Sequence, residues 1–352
     1  MTTPAHPIRV AVIAATGYGG IELLRWLTAH PAVEIVAVSS ESSAGQPLTA
    51  VYPHLAGLEM ALLPAAEARF HGEPQVVFFA TPNGTAMQLA PAVLARGGKV
   101  IDLSADFRLK DPAVYAAYYG RAHGATDWLA RAVYGLPELD REALRGAALV
   151  ANPGCYPTAA LLALAPLLRA GLIAPRGIII DSKSGVSGAG RTALQTPYLY
   201  AEANEDVSAY TVGAHRHQPE IEQQLTAAGG EEAVITFTPH LIPMTRGIFT
   251  TAYGPLTRAC ATDEVLAIYR DAYAGSPFVT VLDATTLPHT KWCAGSNRAF
   301  VTARVDARAG RVVALAAIDN LGKGMSGQAV QNMNLLCGLD EATGLERPAV
   351  YP

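Results

Sequence analysis

The sequence predicts two domains: an α/β domain on a doubly wound parallel sheet, then an α+β domain with a largely antiparallel sheet. Three observations predict this. The chain has 352 residues, enough for about two domains at roughly 150 residues each. Half of the residues are hydrophobic and 16% are charged, which supports large buried cores over a disordered chain. The N-terminal part alternates short apolar runs with helical periodicity, whereas the later part carries longer strands that partly alternate.

Ile8–Ala14 reads as a buried strand and Gly17–Ala29 as a helix, with Ile21, Leu24 and Leu27 at spacings of three. Glu34–Ser39, Val76–Ala80 and Lys99–Leu103 are further strands, with a helix over Thr85–Arg96. Their lack of alternation predicts a sheet covered on both faces. The pattern shifts near Asn152. A long apolar helix is expected over Tyr156–Arg169, then a strand at Gly177–Asp181 and a Gly/Ser-rich loop at Ser182–Gly190. Another helix opens within Gly213–Glu220. Val234–Thr238, Ile248–Tyr253, Ala299–Val305 and Arg311–Ile318 read as strands, the last two joined by a turn-like stretch, Ala307–Gly310. A final helix is expected over Met325–Leu336. There is no internal repeat and no long linker.

Charge and cysteine usage narrow the function classes. The net charge is −4 and no basic stripe is present, which argues against nucleic acid as a partner. Apolar runs fall well short of the ~20 residues that span a bilayer. Met1–Ile8 has no apolar stretch with a cleavage site, so no signal peptide is expected. The four cysteines, Cys155, Cys260, Cys293 and Cys337, form no CxxC pair and lie at no zinc-ligand spacing, so no metal site is expected. A reducing, cytoplasmic compartment follows as the expectation.

The segment Thr16-Gly17-Tyr18-Gly19-Gly20 joins the first strand to the first helix, where a dinucleotide-binding turn belongs. Glycines there let backbone approach a pyrophosphate, and the helix N-terminus supplies N–H groups and positive dipole. An ordinary strand-to-helix turn is the competing reading. Ala14 occupies the first glycine position of the G-x-x-G-x-x-G spacing, which the turn tolerates if Ala14 keeps a negative φ. The second strand ends in Ser39, Ser40, Glu41 and Ser42. Hydroxyls here can donate to a 2′-phosphate, which favours NADP(H) over NAD(H) as cofactor, with Glu41 as the contrary sign. Serines after a strand also serve simply as turn residues.

Cys155 sits in Asn152-Pro153-Gly154-Cys155-Tyr156-Pro157, just before an Ala/Leu helix. A helix N-terminus stabilises a thiolate, and Pro157 suits a first turn. Cys155 is therefore the candidate nucleophile, and the other three cysteines read as packing residues. A thiol of this kind needs a proton-handling partner. His217 in Gly213-Ala214-His215-Arg216-His217 is the first choice, with His215 in reserve.

Several blocks together resemble the N-acetyl-gamma-glutamyl-phosphate reductases of arginine biosynthesis, relatives of aspartate-semialdehyde dehydrogenase: ATGYGGIELLRWL at 15–27, DLSADFRL at 102–109, ANPGCYPTA at 151–159, DSKSGVSGAGR at 181–191, GAHRHQPEI at 213–221 and PHLIPMTRGI at 239–248. The resemblance implies a Rossmann-type NADP-binding domain over residues 1–153, completed by 320–352. It implies a catalytic, substrate and dimerisation domain over 154–319, and a homo-oligomer, dimer or tetramer. It matches Cys155 to the active-site cysteine and His217 to the acid/base histidine. It places Arg108, Arg246 and His215 at the substrate, though for each arginine a structural salt bridge is the competing role. It places Ser184, Gly185, Gly188 and Asn320 near the nicotinamide. The implied reaction is NADPH-dependent reduction of the γ-acyl phosphate to N-acetylglutamate semialdehyde through a Cys155 thioester. Rival readings are a reductase of aspartyl phosphate or a carrier-bound aminoadipyl phosphate, a cysteine acyltransferase or hydrolase without nucleotide, and a non-catalytic nucleotide-binding regulator.

Overall fold

A computed structural model describes residues 6–192 and 195–351. The reading of the extreme N-terminus as leaderless falls mostly on residues 1–5, outside the described residues. The chain forms two compact units: one runs to Pro153 and takes back Met325–Glu346, and the other comprises Gly154–Gly324 and the segment from Arg347. The expected return to the first unit at residue 320 is corrected to Met325. The Asp319 carboxylate accepts from the N–H groups of Leu321 and Gly322, and its carbonyl from Gly324 N, which keeps that turn with the second unit. The tail beyond Arg347 also stays there, with Val350 N donating to Ala294 O.

The first unit holds β1 (Ile8–Ile13), β2 (Val33–Ser39), β3 (Leu62–Leu63), β4 (Val76–Phe79), β5 (Lys99–Asp102), β6 (Val133–Tyr134) and β7 (Leu149–Ala151). They form one sheet in the order β3-β2-β1-β4-β5-β7-β6, with every pair parallel. β4 is buried at all four positions, as its unbroken apolar run requires. The strand order reverses between β1 and β4, and ligands bind such sheets at the carboxyl ends of the strands beside that switch. β3, β6 and β7 are two or three residues long, too short for any periodicity to reveal. β7 matters most of these, because the chain runs from it directly into the cysteine loop.

The second unit holds β8 (Arg176–Ser184), β9 (Ser208–Ala209), β10 (Val234–Leu241), β11 (Ile248–Pro255), β12 (Val279–Val281), β13 (Ala299–Asp306) and β14 (Arg311–Ile318), in the order β12-β13-β14-β11-β8-β10-β9. β13 and β14 form the expected hairpin. β8 pairs parallel with β10 and β12 with β13, so the sheet is mixed with an antiparallel majority. β8 runs to Ser184, further than the expected end at Asp181, because Ser182 and Lys183 pair with both β10 and β11. The helix Cys155–Arg169 is buried from Tyr156 to Leu168 and packs on β11 and β14. It is apolar all round, as a helix enclosed on every side must be. Pro166 leaves the carbonyl of Leu162 without its helical donor. Tyr273 Oη donates to that carbonyl at 2.5 Å, and Tyr269 Oη to the next one, so the proline is tolerated. Among the described residues no helix is long and apolar enough to cross a membrane.

Candidate active site

In the first unit, β1 runs through Ala14–Gly17 into the helix Tyr18–Leu27. Ala14 adopts φ 62°, which corrects the expectation of a negative φ. The turn is locked from both ends: Ala14 N donates to Ser39 Oγ (2.9 Å), Ala15 N to Ser39 O (2.8 Å), and Gly17 N returns to Ala14 O (3.3 Å). The left-handed residue is the hinge that reverses the chain, and an alanine there is strained. Gly20 is required sterically, since a Cβ would lie 2.5 Å from Ala14 O and from Ala15 Cα. Gly17 is different: a Cβ there meets only Ala14 O, at 3.7 Å. No side chain caps this helix. Open space over Gly17 and an uncapped N-terminus are what a dinucleotide pyrophosphate fits.

The hydroxyls expected at a 2′-phosphate divide into two kinds. Ser39 is buried and occupied with Ala14 N, so it serves the turn. Ser40 accepts from Thr16 Oγ1 (3.0 Å) and lies 3.4 Å from the exposed Ser42 hydroxyl. The Glu41 carboxylate accepts from Ala65 N at 2.8 Å, at the start of the short helix Ala65–Ala68. One polar group escaped the sequence reading. Thr81, just after β4 at the carboxyl edge of the sheet, has a buried Oγ1 without a hydrogen-bond partner among the described residues. The segment Thr81-Pro82-Asn83-Gly84 reads as an ordinary turn, and only the strand order places it beside the switch point.

In the second unit, Cys155 is the first residue of its helix, with Gly154 as an extended N-cap (φ −68°, ψ 154°) and no side-chain cap. Glu220, buried in the first turn of the helix Gln218–Gly229, accepts from Gly154 N at 2.9 Å. In the sequence a first-turn glutamate signals only the helix dipole; its burial and its partner give it a second task, holding the cysteine loop. Gly324 backs the nucleophile so closely that a Cβ would sit 2.8 Å from Cys155 Cβ.

The two histidines converge on Tyr156, the neighbour of Cys155. Ring centroids lie 5.6 Å apart for Tyr156–His215, 6.0 Å for Tyr156–His217 and 4.9 Å for His215–His217. Burial, reinforced by the adjacent Arg216, pushes His215 down to about 4. Its Nδ1 accepts from His217 N at 3.1 Å. A neutral ring with Nδ1 accepting carries its proton on Nε2, so His215 is a fixed donor there. Tyr210, absent from the sequence candidates, donates to Tyr156 Oη at 2.9 Å. Burial raises both tyrosines, with the charge of Cys155 among the lesser causes for each, so both hydroxyls keep their protons. Thr211, next to Tyr210, is held at φ 43°, an uncommon setting for a β-branched residue.

The two arginines differ. Arg108 is buried in the first unit and donates Nε to Asn152 O and Nη2 to Leu103 O, each at 2.8 Å. It secures the chain three residues before Cys155. Arg246, in the second unit, meets the carboxylate of Asp319 through Nε at 3.1 Å. Ser184 ends β8 and Gly185 begins the loop after it, with Gly185 N donating to Gly247 O. Asn320 closes this loop from the other side, accepting from Gly247 N (2.7 Å) and donating to Ser187 Oγ (2.9 Å). Gly188 lies within it, where a Cβ would approach Ser184 Oγ to 3.1 Å.

Comparison with known proteins identifies both parts of the chain. The NAD binding domain of semialdehyde dehydrogenase matches residues 9–147, and the semialdehyde dehydrogenase dimerisation domain matches residues 155–320. The chain is 52% identical to the N-acetyl-gamma-glutamyl-phosphate reductase of Pelotomaculum thermopropionicum, over 98% of this chain and 99% of the relative. It is 51% identical to that of Moorella thermoacetica, over 98% and 100%. Its fold is similar to aspartate semialdehyde dehydrogenase II of Vibrio cholerae, with a TM-score of 0.74 at 17% identity, covering 95% of this chain and 99% of that one. The Candida albicans aspartate semialdehyde dehydrogenase with NADP gives 0.70 at 15%, covering 94% and 98%. The structural likeness speaks for the fold, and the half-identity over nearly the whole length speaks for more: the chain belongs to the N-acetyl-gamma-glutamyl-phosphate reductase family.

Proposed function

We propose that the protein reduces N-acetyl-γ-glutamyl phosphate to N-acetylglutamate semialdehyde and phosphate, with NADPH, in the cytoplasm. The observation that carries this reading is Cys155 as the first residue of an uncapped helix, with His215 and His217 gathered against Tyr156. The helix N-terminus favours the thiolate, which attacks the acyl carbon; the carbon–oxygen bond to phosphate breaks and a thioester forms. The first-turn N–H groups face the tetrahedral oxygen as it becomes negative. The turn Thr16–Gly20 would hold NADPH, which when bound would supply the hydride needed to reduce the thioester carbonyl. His217 manages the proton as the hemithioacetal on Cys155 collapses to aldehyde and thiolate. His215, neutral and protonated on Nε2, orients a substrate oxygen. Arg246 takes an anionic group of the substrate, and Arg108 holds the Asn152 carbonyl.

Ser40 and Ser42 support NADPH over NADH, and the tie from Glu41 to Ala65 N removes the carboxylate that would repel a 2′-phosphate. Ser184, Gly185, Gly188 and Asn320 form the loop assigned to the nicotinamide side. A homo-oligomer is supported by the second sheet, whose outward residues Ile179 and Val234 are 39% and 40% exposed. The test runs the reaction backwards, with N-acetylglutamate semialdehyde, phosphate and NADP, following NADPH absorbance. Phosphate-dependent formation of NADPH is expected, at a higher kcat/KM than with NAD. Turnover of aspartate semialdehyde in preference to the acetylated substrate would move the assignment to the aspartyl branch.

A further inference from the structure

Asp319 has no place in the chemistry above, yet its carboxylate is fully buried and gathers four donors. Gly295 N reaches Oδ2 at 2.6 Å, Leu321 N and Gly322 N reach Oδ1 at 2.8 and 3.0 Å, and Arg246 Nε lies 3.1 Å from Oδ2. The three backbone donors suffice to solvate a buried carboxylate and shape the turn after β14. The fourth, a guanidinium from a separate loop, goes beyond that need. The neighbouring residues secure the same loop. Asn320 Oδ1 accepts from Gly247 N, and Gly185 packs so tightly on Thr245 and Arg246 that a Cβ would lie 2.8–2.9 Å from their backbone atoms. The turn that Asp319 organises ends at Gly324, against Cys155. One carboxylate thus fixes the plane of the Arg246 fork and the floor beneath the nucleophile.

We infer that Asp319 is the positioning residue of the substrate-anion site, acting through Arg246. The inference rests on the reading of Arg246 as a substrate ligand. Fixing Nε fixes the planar fork, so the anion meets a preset donor array and not a mobile side chain.

The test is a double-mutant cycle on the full chain with Asp319→Asn and Arg246→Gln, measuring kcat, the KM for phosphate and semialdehyde, and the KM for NADP. Each single change is expected to raise the KM of the anionic substrate about 10–100-fold, the range of a lost charge-assisted hydrogen bond. The NADP KM should hardly move, and Asp319→Asn should add little once Arg246 is gone. An unchanged substrate KM in Arg246→Gln defeats the reading of Arg246 itself. A raised KM in Arg246→Gln with an unchanged one in Asp319→Asn, or two effects that simply multiply, overturns the role of Asp319 alone. If Asp319→Asn does not accumulate folded, Asp319→Glu takes its place. It keeps the charge and displaces it by one methylene, and the same split between substrate KM and NADP KM decides.

Discussion

Two strand-to-helix turns carry the proposed chemistry, and their backbones are nearly superposable in type. Gly17 caps the helix Tyr18–Leu27 at φ −79°, ψ 165°, and Gly154 caps Cys155–Arg169 at φ −68°, ψ 154°, both without a side-chain cap. The difference lies in what surrounds the cap. The first turn leaves the space over Gly17 open and is strained at Ala14, which leaves N–H groups for a ligand to satisfy. The second is packed: Glu220 holds Gly154 N, Gly324 presses on Cys155, and a thiol stands at the first helical position. The same physics, a helix N-terminus that favours negative charge, serves binding in one place and a covalent nucleophile in the other on the proposed mechanism. A turn built to bind keeps space, and a turn built to react fills it.

The packed turn should respond most severely to substitution. Cys155→Ser should reduce turnover by ~10³-fold or more while NADPH binding, read by fluorescence, stays nearly intact, because a hydroxyl lacks the thiolate's nucleophilicity. His217→Asn should lower kcat by ~10²–10⁴-fold with a smaller change in KM. His215→Asn should act mainly on KM, since a ring titrating near 4 is a donor and not a proton shuttle at neutral pH. A larger kcat loss in His215→Asn would exchange the two roles.

A smaller effect concerns stability. Because burial depresses His215 to about 4, below its unfolded value of about 6.5, the unfolded chain binds the proton first. The contribution is complete above pH 6.5 and is lost as pH falls from there toward 4. Tm measured across that window should fall less steeply in His215→Gln than in the parent. The difference between the two profiles is the quantity to read, because Asp102, pushed up to about 7 by burial and by Asp106, works in the opposite direction. Parallel profiles would remove His215 from the buried neutral state.

The open turn should respond least. Ala14→Gly relieves a left-handed alanine, worth about 1–2 kcal/mol, against the ~0.4–1 kcal/mol that glycine's freer unfolded chain takes back. Tm should rise by a few degrees at most, and the NADPH-to-NADH preference should not change. A lower Tm would show that the strain at φ 62° is offset by contacts of the alanine methyl.

Much of this was legible in the sequence where one residue type has one use. Gly20 beside a strand end, Cys155 before an Ala/Leu helix, and the apolar runs of β1 and β4 each limit the backbone strongly. What was not legible depended on partners distant in sequence. Glu220 reads as a dipole residue until Gly154, 66 residues away, is seen to donate to it. Arg108 reads as an anion ligand, and nothing local reveals that its Nε and Nη2 also donate to the carbonyls of Asn152 and Leu103. The sign of φ at Ala14 is set by Ser39, 25 residues on, and no local pattern reveals it. Strands of two or three residues, β7 included, carry no period to detect.

Covalent capture at Cys155 can be observed without any nicotinamide. The protein is mixed with the acyl phosphate alone, released phosphate is followed at early times, and the quenched protein is digested and mapped by mass. Close to one equivalent of phosphate per active site should appear in a burst, with an N-acetylglutamyl adduct on the peptide containing Cys155. No burst, or an adduct on Cys260, Cys293 or Cys337 in its place, would contradict the mechanism.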